Sequence, residues 1–289
     1  MSECLFFIGP GRAALSLGYA LWQAGTVDGL TYCGRKPDPP PHPMFISGVA
    51  RYVFGLESPP PQTTAVFLGV PDVMLPEISL ALAAHGEAPS GCAAFHLSGA
   101  IGTDPLAPLL DKGYSVGTLH PLQSLADPIL GAQLLQGVYF AVSGEPAAMA
   151  AARRIVHPLG GRVLSVPVAR RPLYHAAAVF ASNYLAGLIA AAGRLMAQAG
   201  VPEEEALQAI LPLARGSLEN LGRLGPVRAL TGPVSRGDLE TVRLHLRTLE
   251  PRERSLYASL GKEILKLAAE GGLDLDKIEE LEEMFEREE

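Results

Sequence analysis

Residues 5–14 read Leu-Phe-Phe-Ile-Gly-Pro-Gly-Arg-Ala-Ala, an apolar strand running into GxGxxA and then into an amphipathic stretch. Each small residue in that turn has a physical task. Gly9 permits a tight reversal, Gly11 lets backbone approach a pyrophosphate, and Ala14 allows the next helix to lie close to the strand. A helix starting near Arg12 would aim its unsatisfied amides and its dipole at the phosphates. On its own GxGxxA is also compatible with a plain glycine turn. Its place after a strand and before a helix selects the dinucleotide-binding reading. Gly9, Pro10, Gly11, Arg12 and Ala13 are therefore candidate cofactor contacts.

The end of the second strand bears on which dinucleotide is bound. It reads Tyr32-Cys33-Gly34-Arg35-Lys36, with no acid before Asp38. NAD sites usually place a carboxylate there for the ribose hydroxyls, and NADP sites a cation for the 2′-phosphate. Arg35 and Lys36 thus favour NADP over NAD, the alternative being a merely solvated loop. Leu68-Gly69-Val70-Pro71-Asp72 ends the fourth strand, which adds Val70 and Pro71 to the candidates. Asp72 reads equally well as the N-cap of the following helix.

The first half alternates short apolar runs with helical stretches, the pattern of a parallel sheet covered by helices. Strands are expected at 4–9, 29–33, 52–54, 64–70, 93–97, 115–119, 138–142 and 162–166, with helices at 12–24, 73–85 and 146–157. After Pro167 only helical patterns remain, at 172–199, 202–224 and 238–271, followed by an acidic tail. The expected architecture is α/β: an N-terminal Rossmann domain with a doubly wound parallel sheet over residues 1–168, then an all-helical domain over residues 169–289.

Composition excludes several classes. The net charge is −7, and residues 273–289 alone carry nine acids and two bases, the whole of that excess. The rest is neutral, with no basic stripe for nucleic acid. Leu275, Ile278, Leu281 and Phe285 recur at helical spacing, so the tail is expected to dock as an amphipathic helix. Three scattered cysteines form no CxxC pair, and the N-terminus lacks a basic segment before its apolar run, so a reducing, cytoplasmic setting is expected. Residues 172–193 contain no Asp, Glu, Lys or Arg, but alanine and polar residues fill much of the run. A helix buried against others is expected there, and not a membrane span.

Substrate-contacting candidates stand at strand ends. His96-Leu97-Ser98-Gly99-Ala100 and His120-Pro121-Leu122-Gln123-Ser124 should both open onto the crevice, where an imidazole or hydroxyl can handle a proton. Ser98 is placed beside the cofactor. In the helix that follows, His175, Val179, Ser182 and Asn183 share one side by three- and four-residue spacing. Structural histidines and helix–helix hydrogen bonds are the alternatives. Asp238, in Leu230-Thr231-Gly232-Pro233-Val234-Ser235-Arg236-Gly237-Asp238, is expected to cap the next helix.

The succession HLSGA, HPLQS, YHAAAVFASNYL and LTGPVSRGD resembles Rossmann-like proteins whose C-terminal part is known as domain of unknown function 2520. Such proteins are similar in architecture to pyrroline-5-carboxylate reductase, 6-phosphogluconate and β-hydroxyacid dehydrogenases, ketopantoate reductase and F420-dependent NADP reductases. The resemblance implies a helical second domain that pairs two subunits, with the active site between domains. It brings no settled reaction with it. The β-hydroxyacid dehydrogenases place a catalytic lysine one turn before an asparagine. Asn183 matches the asparagine, but Val179 stands at the lysine position, and no lysine occurs between Lys112 and Lys262.

The expected activity is NADP-dependent hydride transfer to or from a small carbonyl, imine or alcohol, with His120, His175, His96 and Asn183 as catalytic candidates. A non-catalytic NADP-binding sensor or partner protein and a deazaflavin-linked NADP reductase are the alternatives. The alanine-rich helix suggests a homodimer through the C-terminal domain. No metal site is expected.

Overall fold

The computed structural model describes residues 2–288. Eight strands form one sheet: β1 (Glu3–Ile8), β2 (Val27–Gly34), β3 (Ala50–Phe54), β4 (Ala65–Leu68), β5 (Ala93–His96), β6 (Ser115–Pro121), β7 (Tyr139–Gly144) and β8 (Arg162–Ser165). Between them lie α1 (Arg12–Gln23), α2 (Pro43–Ile46), α3 (Leu75–Ala84), α4 (Ala107–Leu110), α5 (Pro128–Leu134) and α6 (Pro146–Val156). The strand order is β3-β2-β1-β4-β5-β6-β7-β8. The chain steps outward from β1 to β3 and then returns to the other side of β1, which leaves a switch point at the carboxyl ends of β1 and β4. Ligands of such sheets bind in that crevice.

The central strands are apolar on both faces, as helices on both sides require. Phe7, Phe67 and Phe95 are fully buried on one face, and Phe6, Val66 and Ala94 on the other. The sheet departs from the expected all-parallel form at one place, because β7 runs antiparallel to β6. The β6–β7 connection leaves and re-enters at the same end of the sheet, where the Leu122 amide donates to the Tyr139 carbonyl at 2.9 Å. Its short helix α5 packs on α1 instead of carrying the chain across the sheet.

The remaining elements are α7 (Arg171–Val179), a π-helical turn at Phe180–Tyr184, α8 (Leu185–Gln198), α9 (Glu203–Leu224), α10 (Pro226–Ala229), α11 (Pro233–Arg236), α12 (Leu239–Thr248), α13 (Pro251–Glu270) and α14 (Leu275–Glu286). By compactness the chain divides into Met1–Asn183 and Tyr184–Glu289. Strands give way to helices near Val168, but the compact units part later, because Arg171 and Tyr174 on α7 bond to the sheet unit.

In the second unit Val242, Leu246, Ala258, Leu265, Leu281 and Phe285 form a small core. The single helix expected over 238–271 is broken before Pro251. A residue preceding proline is driven out of the helical region, and Glu250 is accordingly extended at ψ 156°. Asp238 caps α12, accepting from the Thr241 amide, as expected. The tail docks through Leu281 and Phe285, whereas Leu275 is exposed.

The apolar helical run does not behave as expected. Val168–Gln198 is long and apolar enough to cross a membrane, yet only 6% of its most apolar window is buried within the chain. Inside one chain it is not a core helix.

Candidate functional site

Two clusters in the first unit carry the predicted site residues. At the switch point the turn after β1 interlocks with the turn after β4. Gly9 has φ +94°, and a methyl group on it would stand 2.7 Å from the Gly69 carbonyl oxygen. A methyl on Gly69 would stand 2.8 Å from both the Ala14 Cβ and the Gly9 oxygen. The small residues therefore act as a set. Gly69 was not singled out from the sequence, because its need for smallness arises only when β4 lies beside β1.

This turn opens onto a cavity of about 800 Å³. Gly9, Pro10, Gly11, Arg35, Lys36, Val70 and Pro71 all line it, which brings together most of the predicted cofactor set. Arg12, Ala13 and Ser98 lie outside the lining. Arg12 is exposed and reaches the Ala126 carbonyl, at 3.5 Å. Arg35 and Lys36 pair with no carboxylate among the described residues, and both are exposed cations that line the cavity. Reading by motif missed the walls. The prolines at 39–41 and Tyr52, which donates to the Lys36 carbonyl at 2.7 Å, shape the cation end of the cavity.

The second cluster sits where β5, β6 and α7 meet. It is joined to the cavity by one bond, since Asp72, next to the cavity-lining Pro71, accepts from the Ser98 hydroxyl at 2.7 Å. Asp72 is thus not the helix N-cap that the sequence allowed; no side-chain cap bond forms at that helix start.

His96 is fully buried, and both of its ring nitrogens are committed. The Ser98 amide donates to Nδ1 at 3.2 Å, so the proton resides on Nε2, which donates to the Gly102 carbonyl at 2.7 Å. Burial pushes its pKa down. His96 therefore braces the 96–102 turn and has no nitrogen left to exchange a proton with a reactant, contrary to its place among the catalytic candidates.

His120 and His175 do come together. Their rings meet edge to face at 5.9 Å between centroids, and His120 Nδ1 shares a 2.8 Å hydrogen bond with the Tyr174 hydroxyl. Burial is the largest cause holding His120 down at about 4, followed by the neighbouring His175 and Arg171. The same desolvation raises the Tyr174 hydroxyl. His175 Nδ1 is buried and has no partner. Gly99 fits against both rings, and a methyl on it would stand 2.5 Å from His175 Nδ1 and 2.9 Å from His120 Nε2.

Asn183 is not brought into this cluster. Asn183 lies within the π-helical turn Phe180–Tyr184, whose wider winding breaks the three-and-four spacing from His175. Asn183 is exposed, and its amide oxygen accepts from the adjacent Ser182 hydroxyl at 2.9 Å.

The largest omission of sequence reasoning is Arg171. Its side chain is fully buried, donates to the Ser98 carbonyl at 2.8 Å and to Ser143 Oγ at 3.0 Å, and lies 5.9 Å over the Tyr174 ring. Only the tertiary structure reveals it. A second arginine at the start of a helix looks like solvated surface in a sequence.

Comparison with known proteins agrees with this architecture. Residues 54–121 match the Rossmann-like domain, and residues 138–264 match the domain of unknown function (DUF2520). No curated protein matches the sequence significantly. A Bacteroides fragilis protein provisionally named as an NADP oxidoreductase superposes with a TM-score of 0.72 at 22% identity, covering 91% of this chain and 98% of that one. Pyrroline-5-carboxylate reductase from Streptococcus pyogenes gives 0.65 at 18% identity, over 93% and 98%. Plasmodium falciparum pyrroline carboxylate reductase, solved with NADP bound, gives 0.63 at 11% identity, over 98% of both chains. At these identities the likeness establishes the fold. The chain is a Rossmann-like protein that carries a domain of unknown function 2520.

Proposed function

We propose that the protein is a cytoplasmic NADP-dependent oxidoreductase acting on a small carbonyl, imine or alcohol. The observation that carries this reading is the convergence on one cavity of a glycine cradle for a pyrophosphate and two cations free to meet a 2′-phosphate. When bound there, the cofactor supplies or accepts a hydride. The protein's own part is to place a proton on the oxygen or nitrogen that becomes more basic. His120 and Tyr174 are the pair for that task. As the Tyr174 hydroxyl gives up its proton, neutral His120 passes its Nδ1 proton to the phenolate oxygen across their 2.8 Å bond while Nε2 takes one from water, so the ring stays uncharged throughout. Asp72 and Ser98 orient the turn between this pair and the cofactor cavity.

Calorimetric titration with NADPH and NADH tests the reading. Micromolar NADPH affinity is expected, with much weaker NADH binding. The double variant Arg35→Ala, Lys36→Ala removes two charge-assisted contacts, so it should weaken NADPH by about 100-fold or more and leave NADH nearly unchanged. Absence of binding by either nucleotide would end the oxidoreductase proposal. The lack of a lysine between Lys112 and Lys262 favours a second reading, a non-catalytic NADP-binding sensor. That reading expects NADPH binding without oxidation across a broad panel of carbonyls and imines.

The same proposal pairs two copies through α8 and α9. Of α8 only Ala191 is buried, and of α9 only Ala206 and Ile210, while Leu207, Leu211, Leu218 and Leu221 are exposed. Neither helix contributes to the core of the second unit. An apolar patch of this kind is uncommon on a monomer, and a second copy is its natural cover. A side chain at Gly187 meets nothing within 4 Å in one chain. Gly187→Trp should therefore leave the thermal transition of the individual subunit intact and block close helix approach. Light scattering is expected to show a dimer for the wild type and a monomer for the variant. A wild-type monomer at micromolar concentration would refute the pairing.

A further inference from the structure

We propose that Arg171 is a positioning residue for the proton-handling pair, a permanent buried cation that anchors the Ser98–Gly99 turn against both histidine rings and lies over the Tyr174 ring. Burying a guanidinium is costly unless its donors are satisfied and an anion lies close. Arg171 is fully buried, yet among the described residues no carboxylate pairs with it. Two hydrogen bonds offset part of that cost, one to the Ser98 carbonyl and one to Ser143 Oγ, and the Tyr174 ring face adds a cation–π contact. Its Nε has no partner. A leucine or methionine would fill this space with less penalty, so the consequence of an arginine here lies in its charge.

That consequence falls on the neighbouring rings. The groups acting on His120 are Tyr174, His175 and Arg171 from α7, His96 from β5 and Asp72 from the turn after β4. Asp72 alone would draw a proton onto the imidazole, and it is engaged by Ser98. Arg171 opposes it with a charge that never titrates at physiological pH. The guanidinium also fixes the carbonyl of Ser98, the residue before Gly99, and Gly99 sits against His120 Nε2 and His175 Nδ1. One side chain thus fixes the position of the turn that covers the pair and adds its charge to burial and His175 in keeping His120 neutral.

This inference rests on the reading of His120 as the proton-handling group, but its test needs neither cofactor nor substrate. The imidazole resonances are followed by NMR against pH in the wild type and in Arg171→Gln, Arg171→Met and Arg171→Lys, with His120→Gln used for assignment. In the wild type the His120 midpoint is expected near 4. In the two neutral variants it should rise by about one unit or more, a tenfold gain in proton affinity, and in Arg171→Lys it should stay close to wild type. Two neutral variants are included so that the failure of one to fold leaves the other to decide. An unchanged midpoint in the neutral variants, or an equal rise in the lysine variant, would overturn the proposal. Loss of NADPH binding in the titration above would leave this result untouched, so the two readings fail separately.

Discussion

Gly69→Ala is expected to reduce NADPH affinity by about 100-fold or more, a loss of roughly 2.7 kcal/mol. The added methyl would meet the Ala14 Cβ and the Gly9 carbonyl oxygen, each at 2.8 Å. Neither neighbour can give way cheaply, since one is backbone and the other a one-carbon side chain on the first turn of α1. Relief has to come from displacing the start of α1 away from β4, and with it Gly9 and Gly11, the residues that would cradle the phosphates. A stability loss of about 1–3 kcal/mol accompanies such overpacking. Gly222→Ala is the matching control, because a methyl there meets nothing within 4 Å. It should bind NADPH as the wild type does. Calorimetry and thermal melts on the three proteins decide the matter, and wild-type affinity in Gly69→Ala would mean that the dinucleotide does not lie on this turn.

His120→Ala should lower turnover by about 10²- to 10⁴-fold, the range for loss of a positioned proton donor or acceptor. Its NADPH affinity should stay within about twofold of wild type, because His120 does not line the cofactor cavity. The measurement uses whichever carbonyl or imine in a substrate panel supports NADPH oxidation. Tyr174→Phe removes the other half of the 2.8 Å bond and should also slow turnover. The double variant should be little worse than His120→Ala, since two residues that move one proton act as a unit. Equal turnover in His120→Ala and wild type would remove His120 from the mechanism and leave the cofactor assignment standing.

The two sites were visible in the sequence to different degrees, for a physical reason. The cofactor turn is local. Strand, GxGxxA and helix are contiguous, and the stereochemistry of Gly9 and the smallness of Ala14 can be argued without knowing what lies opposite. Seven of the ten predicted cofactor residues line the cavity accordingly. The histidine cluster is assembled across the chain, with Ser98 bonded 26 residues from Asp72, His120 54 residues from Tyr174, and Arg171 73 residues from Ser98. The histidines could be nominated because imidazoles at strand ends are chemically conspicuous, but nothing in the order of residues separates His96, locked by backbone on both nitrogens, from His120. The same limit explains Asn183, whose helical spacing was sound for an α-helix and was altered by a π turn.

By itself the sequence determined the strand–turn–helix cradle, all eight strand positions, the change from strands to helices near Val168 and the cap at Asp238. These follow from side-chain periodicity and from the backbone limits of glycine and proline, which act over a few residues. Only the tertiary structure decided the antiparallel β7, the need for Gly69, the burial of Arg171 and the exposure of the helix expected to be buried. Each of these depends on which distant segment occupies the space beside a residue, and that information is held in the assembled fold.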